Sequence, residues 1–528
     1  MTGPTEFAWE QILDGNERKM NPNTPTAAPY HHLTSYQRHN MSGHVLDWEN
    51  QPDLYKTYSH AESVPLPKDV RHRKTKLSQV LKEGSPEANP RVPDMDDLAR
   101  IFSLAYSMTA KARHGGADFY YRSAASAGAL YPTEIYAAAS GVQGLDDGLY
   151  HFSVARHSLF RLRKGDLSSH IAGAIRPTPR KSPILTFFLS AILFRSAWKY
   201  RERSYRYHLL DTGHVAENLI VTLKALEFPS VLSYDFDDHA MNRLLGLDER
   251  KEVCLLVCYV PGNTPVEKAI ESDLQELPKD FKSASQVAHH EIDYPAVREI
   301  HEAGSSFVTQ PGSGPSMADQ LGLRSHGFTN LGPPNTWPET MDWADAFRHR
   351  RSRRNFVPHS ISQESARALV ACLALPEASL SSGVRDYSRL VGMGFLAGNV
   401  DHLDPGFYLL DASKGSFGMV RPGVFTDKMA HVCLNQAWLA HAALHFLFMA
   451  DLDALDQYWG ARGYRYAMLE SGRLGERLYL AATAMGLGCC GIGAFYDFEA
   501  AELLGLKKGS RLFYLVGVGP VRSIKIDT

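Results

Sequence analysis

The ten residues "FRHRRSRRNF", Phe347 to Phe356, hold six basic side chains, five of them arginine. Guanidinium groups keep their charge and grip phosphate oxygens through paired N–H donors. In a chain whose formal net charge is only −2, such crowding reads either as a solvated face or as a socket for a phosphate, and the choice depends on a second stretch. That stretch lies far upstream, "RSAASAGALYP", Arg122 to Pro132. There the small residues Ala127, Gly128 and Ala129 let backbone approach a ligand closely, while Ser126 and Pro132 fix a turn. A third, "GLGCCGIGAF" (Gly486 to Phe495), is again built of small residues that open backbone N–H groups to a bound molecule.

The elements that must position these stretches repeat. "RSYRYHLLDTGHVAENLIVTLKALEF" from Arg203 matches "RGYRYAMLESGRLGERLYLAATAMGL" from Arg462. At the same offset "DFDDHAMNRLLGL" falls on "AFYDFEAAELLGL", without a gap to Pro261 and Pro520. A period this long means two globular copies of one unit. In each copy the spacing predicts a long helix (Tyr205 to about Leu226; Tyr464 to Met485), a shorter helix ending in "LLGL", and an apolar strand. "TEIYAAAS", "GLYHFS" and "GFYLLDA" read as further strands bounded by Gly and Asp. Helices around a small, mostly antiparallel sheet give an α+β class. The boundaries read as an N-terminal arm over 1–95, a first domain over 96–262, a Gly- and Pro-rich linker over 263–338 and a second domain over 339–528.

A chain of 528 residues expects two or more cores, and its 22% charged residues are an ordinary globular share. The near-neutral balance gives no reason to expect nucleic acid or an anionic membrane as partner. The longest apolar run, "PILTFFLSAILF" (Pro183 to Phe194), is too short to span a bilayer and reads as buried strand. The N-terminal stretch has no secretory signal pattern, so the cytoplasm is the expected compartment. Six cysteines without a CxxC read as reduced, mostly buried thiols. The histidines form no HExxH or Cys/His ladder, so no metal is expected.

"RSAASAGALYPTEIY" followed by "FRSAWKYRERSYRYHLLDTGHVAENL" resembles the SagB-type dehydrogenase branch of the FMN-dependent nitroreductase superfamily, and "LDWENQPDLYKTY" (Leu46 to Tyr58) resembles the segment that precedes that domain. Through "RRSRRNF" and "AMGLGCCGIGAF" the second copy is similar to the general nitroreductase domain. The resemblance implies FMN held between two α+β units, here two fused nitroreductase-like domains forming an intramolecular pseudo-dimer. It assigns Arg350 and Arg351 to the phosphate and ribityl chain, with Arg522 closing the site, Ser352 donating a hydroxyl and Arg354 beside the ring. Gly491, Gly493 and Ala494 bring backbone to the ring, the last two with N–H groups toward N5. Ser126, Ala127 and Ala129 belong to the segment supplied by the partner unit. Ala125 stands where the family usually has proline. The reverse set is missing: "HRKTKLSQVL" lacks the Arg-Ser-x-Arg spacing, and "FPSVLSYDF" puts Pro229 and Tyr234 where the other copy has glycine. One complete site and one decayed site are therefore expected.

In azoline-oxidising members of that branch a Lys-Tyr pair lies near the flavin, and Lys199 and Tyr200 match it. The resemblance implies an oxidoreductase that dehydrogenates a small heterocycle or peptide-borne azoline, with hydride passing to flavin N5 and a cyclodehydratase-type partner supplying the substrate. An NAD(P)H-dependent nitro or quinone reductase, and a non-catalytic scaffold in a peptide-modifying complex, are the alternatives. Further pairing into a homo-oligomer stays open. Tyr205, Arg206 and Tyr207 recur in both copies and read as structural; Asp211 and His214 read as helix-packing residues.

Overall fold

The apolar run from Pro183 is too uniformly hydrophobic for an exposed edge, and it forms most of a central strand, Lys181–Ile192, buried between two neighbours. In the computed structural model, which describes residues 26–41, 43–82, 91–114, 117–266, 274–305, 314–331, 337–375 and 387–522, two seven-stranded sheets follow one plan. The first runs, in spatial order, Glu62–Pro65, Ser158–Lys164, Gly148–Ser153, Thr133–Ala139, Lys181–Ile192, Glu252–Pro265 and Val231–Ser233. The second runs His326–Asn330, Ser416–Pro422, Gly406–Asp411, Gly392–Ala397, Leu444–Asp451, Ser510–Gly519 and Gly488–Ile492. Each neighbouring pair is antiparallel. The fold is α+β, two domains in tandem, as the repeat requires.

The sequence identity of the copies fades outside the core, but the structural repeat does not. The arm supplies the edge strand Glu62–Pro65 to the first sheet, and the linker supplies its counterpart His326–Asn330 to the second. The arm also holds a helix, Ala27–Leu33, and the linker a matching one, Pro295–Ala303. Nδ1 of His31 lies 3.1 Å from the Tyr464 hydroxyl, and Nδ1 of His301 lies 3.2 Å from the hydroxyl of Tyr205, the residue equivalent to Tyr464. Arm and linker are thus two versions of one element. Residues 1–25 of the arm, Trp9 among them, lie outside the described residues.

Two long helices, Ser204–Ala225 and Ala461–Ala484, cross at the centre. Both are buried along nearly their whole length, so they can be polar only where the partner helix answers. They touch at equivalent glycines: a methyl on Gly213 would overlap the Leu469 carbonyl, and one on Gly472 would overlap the carbonyl of Leu210, the residue equivalent to Leu469. The charges are exchanged in the same reciprocal way. Arg203 and Arg206 meet Asp497 at 2.7 and 2.6 Å; their equivalents Arg462 and Arg465 meet Asp238 at 2.9 and 2.8 Å. His214 faces Glu476 at 2.5 Å, while Arg473 faces Glu217 at 3.0 Å. This is the contact pattern of a two-fold dimer drawn inside one chain.

Because each glycine meets backbone and not a movable side-chain tip, Gly213→Ala and Gly472→Ala should each lower stability by about 1–3 kcal/mol. Matching falls in melting temperature are expected; an unchanged melting temperature in either variant would contradict the crossing.

Candidate functional site

The arginine segment follows the short helix Trp343–His349 and runs along the edge strand Gly488–Ile492 of the second sheet. A parallel bridge joins Ser352 to Cys489, and the Arg353 amide donates to the Cys489 carbonyl at 2.8 Å. Phe356 pairs with Val521, and the Arg522 amide donates to the Asn355 carbonyl at 3.2 Å, which brings exposed Arg522 beside the same segment. Tyr479 reaches out of the long helix to tie the parts together. Its hydroxyl accepts from the Gly491 amide at 2.6 Å and shares a hydrogen bond with Ser352 Oγ at 2.8 Å.

The stretch from the first copy lies directly against this edge. Arg350, buried, donates from Nε to the Ser123 carbonyl at 2.5 Å and from Nη2 to the Arg122 carbonyl at 2.8 Å, with Glu476 at 3.6 Å behind it. Arg351 donates to the Thr109 carbonyl at 2.9 Å and to its hydroxyl at 3.0 Å. Two of the five arginines therefore spend donors on stitching the copies together, which spacing alone did not reveal. Ser352 and Arg354 are exposed, as is Gly128, while Ala127, Ala129, Lys199, Gly491, Gly493 and Ala494 are partly so.

Lys199 and Tyr200 close the short helix Leu193–Tyr200 that follows the central strand. They press on the small-residue elbow: a methyl on Gly128 would sit 2.7 Å from the Tyr200 hydroxyl and 3.3 Å from Lys199 Nζ. Burial first, and the Arg354 guanidinium second, hold the Lys199 ammonium below the usual lysine range. That coupling crosses the seam, because Lys199 belongs to the first copy and Arg354 to the second. Tyr200 packs at 4.3 Å on the ring of Tyr207, whose hydroxyl donates to the Gly493 carbonyl at 3.2 Å. The sequence-predicted residues of both copies thus meet along one seam, with Ser352, Arg354 and Gly128 exposed on it.

The equivalent place on the other side is filled. Tyr234, equivalent to Gly493, lies buried with its ring 4.2 Å from Tyr387 and 6.0 Å from Tyr466. Asp235 accepts hydrogen bonds from the hydroxyls of Tyr387 and Tyr466. Tyr234 thus brings a buried ring to the place where Gly493 has no side chain and Tyr207 closes on its backbone instead.

Several residues of the complete crevice were not singled out from sequence. Tyr479 and Tyr514 stand where the first copy has Ile220 and Leu255, and a polar group replacing an apolar one inside a repeat was the available signal. Tyr207 recurs as Tyr466 and looked purely structural. Asp211 accepts from Ser126 Oγ at 2.6 Å and from the Ala127 amide at 3.1 Å, so its partner is the elbow and not the helix packing expected of it. His214 does serve the helix seam.

The chain belongs to the nitroreductase family, whose sequence profile matches residues 87–262 and 398–520, a block in each copy. A crystal structure of a nitroreductase from Anabaena variabilis superposes with a TM-score of 0.73 at 25% identity, covering 94% of this chain and 99% of that one. A Methanocaldococcus jannaschii protein named as a nitroreductase is 36% identical over 90 residues. That match takes in 17% of this chain and 46% of the relative, so the chain spans about half the length of the curated protein it matches. The fold is that of the nitroreductase-family oxidoreductases, which generally use a flavin. Among the described residues no helix is long and apolar enough to cross a membrane, and no group of three or more His, Cys, Asp or Glu side chains is placed to hold a metal. All six cysteines are free and buried.

The residues suit FMN. Among the described residues Arg351, Arg353 and Arg354 have no carboxylate partner. Burial, then the neighbouring Arg350 and Arg353 cations, push the Arg351 guanidinium down to about 10. Guanidiniums keep their proton at neutral pH, so the shift expresses first the burial of the charge and second its cationic neighbours, and a phosphate dianion would offset both. Gly128, Gly491 and Gly493 carry no side chain where Tyr200, Tyr514 and Tyr207 respectively pack against them, so these glycines permit close protein packing along the seam.

Since Arg350 is a buried seam residue and Arg354 an exposed crevice residue, their truncations should separate. Arg350→Ala is expected to cost about 2–4 kcal/mol of stability by leaving two buried carbonyls unpaired and Glu476 with His214 alone. Arg354→Ala should stay within about 0.5 kcal/mol. Denaturant unfolding of both variants checks this, and equal midpoints would contradict the division.

Proposed function

We propose that the chain binds one FMN in this crevice and dehydrogenates a small heterocycle or peptide-borne azoline. Arg351, Ser352 and Arg522, with the remaining donors of Arg350, would hold the phosphate and ribityl chain. Arg354 would lie toward the ring, where positive charge favours the reduced flavin anion. Gly491, Gly493 and Ala494 from one side, and Ser126, Ala127 and Ala129 from the other, would offer backbone to the ring faces and edge. When bound, the flavin supplies a hydride acceptor at N5.

The protein's own part is the proton. Loss of hydride from a saturated carbon next to nitrogen must be matched by loss of a proton, and a base with a lowered pKa serves that need near neutrality. Lys199, half-buried and repelled by Arg354, carries the proposal; Tyr200, held protonated by burial, would position it. The single observation behind the reading is that Lys199 and Tyr200 press on Gly128 while Lys199 feels Arg354 across the seam. A cyclodehydratase-type partner would supply azolines, and O2 or another acceptor would reoxidise the flavin.

The test is a turnover assay of FMN-loaded protein under air with free and peptide-borne azolines. Azole and a reduced acceptor are the expected products. Lys199→Ala should bind FMN as the parent does, yet lose about 100-fold or more in turnover. Unchanged turnover would remove Lys199 from the reaction. Rapid bleaching by NADPH without oxidation of any azoline would replace the dehydrogenase by a reductase.

A further inference from the structure

The elbow that Gly128 carries is strained. Gly128 (φ 63°), Ala129 (φ 53°) and Tyr131 (φ 47°) all lie in the left-handed region, and two of the three have a Cβ. Such conformations are unfavourable for non-glycine residues and persist only where surroundings impose them. Inside the turn, the Ala129 amide donates to the Ser126 carbonyl at 3.1 Å and the Tyr131 amide donates to Ser126 Oγ at 2.9 Å. Outside it, Arg195 Nη1 holds the Tyr131 carbonyl at 3.0 Å at the downstream end. The upstream end is held by Asp211, which accepts from Ser126 Oγ at 2.6 Å and from the Ala127 amide at 3.1 and 3.2 Å. Ser126 thereby links the carboxyl to both ends of the strained residues.

Asp211 also differs electrostatically from the other buried acids of the seam. Asp238, Asp497, Glu217 and Glu476 each face an arginine or histidine. Glu470, the residue equivalent to Asp211, faces Arg473 at 2.9 Å. Asp211 is buried with no cation within salt-bridge distance among the described residues. A carboxyl desolvated without a counter-charge is costly.

We infer that Asp211 is the positioning residue of the crevice: a carboxyl latch that sets the Ser126–Tyr131 elbow against Lys199 and Tyr200. The latch itself stands without any ligand, and its consequence for flavin and substrate rests on the FMN reading above. Burial pushes the Asp211 carboxyl up to about 7, against the hydrogen bonds from Ser126 and Ala127 that pull it down. The titratable groups facing it are Tyr106, Tyr200 and Tyr514, all held protonated by burial. His214, one turn on, faces Glu476 and Tyr514 instead. Opening the elbow hydrates the carboxyl and returns it toward the ordinary value near 4. The closed elbow therefore binds more protons than the open one, and closure weakens as pH rises from about 4 to about 7.

The experiment is hydrogen exchange of the 123–131 segment in the full chain without added flavin, for the parent, Asp211→Asn, Asp211→Ala and Ser126→Ala, from pH 5 to 8 and corrected for intrinsic rates. Asp211→Ala and Ser126→Ala should speed exchange of the Ala127 and Tyr131 amides on the order of tenfold or more. Asp211→Asn, which keeps an acceptor but cannot ionise, should retain protection and lose the parent's pH dependence. Should Asp211→Ala fail to fold, Ser126→Ala and Asp211→Asn still decide the matter. Equal protection in the parent and Ser126→Ala, or an Asp211→Asn profile that keeps the parent's pH slope, would overturn the latch. FMN titration of the same proteins separates the two readings: a protein with a working latch that binds no FMN defeats only the flavin reading. Full flavin affinity in a variant with a freed elbow overturns the latch's consequence.

Discussion

The close crossing of the two long helices is the constraint from which the rest follows. At Gly213 and Gly472 backbone meets backbone, and that proximity lets Arg203 and Arg206 reach Asp497 while Arg462 and Arg465 reach Asp238. Buried ion pairs of this kind add little net stability over an apolar interface, but they penalise any other docking of the two copies. The crossing thus fixes register. With it fixed, the edge of the second sheet and the elbow of the first copy can meet only at the observed seam.

Within that symmetric frame the two crevices have diverged. On one side Gly493 and Ala494 are partly exposed and, among the described residues, Arg351, Arg353 and Arg354 lack carboxylates; on the other, Tyr234, Tyr387 and Tyr466 gather around Asp235. A filled site costs the fold nothing, since the rings are buried and their hydroxyls are satisfied. An open crevice with unanswered positive charge is a burden on stability, tolerable where a ligand relieves it. Duplication inside one chain is what permits the difference, because each copy can specialise in the half-site it contributes.

Much of this was legible in the sequence. The ungapped repeat gave two copies, helical spacing located the long helices to within a few residues, and the distribution of "RRSRR", "GLGCCGIGAF" and "SAGALYP" placed complementary parts in different copies. What was not legible depended on three-dimensional crossing. Nothing in the spacing of Arg350 and Arg351 tells that they bind carbonyls of the opposite copy. Asp211 looked like a helix residue because its partners, Ser126 and Ala127, are distant in sequence. Arm and linker hid their equivalence because a strand and a short helix apiece, with His31 and His301 on the helices, carry it. Tyr479 and Tyr514 could have been found by asking where the copies exchange polar for apolar residues.

The claim at the centre is that only the crevice joining the second copy's arginines to the first copy's elbow takes a flavin. Its most direct test is the stoichiometry of FMN in protein saturated with the cofactor, freed of excess, and assayed by absorbance after release by heat. The account predicts one FMN per chain. Two per chain would mean that the tyrosine-filled side is also a site, and none would mean that the exposed arginines and bare glycines serve something other than a flavin.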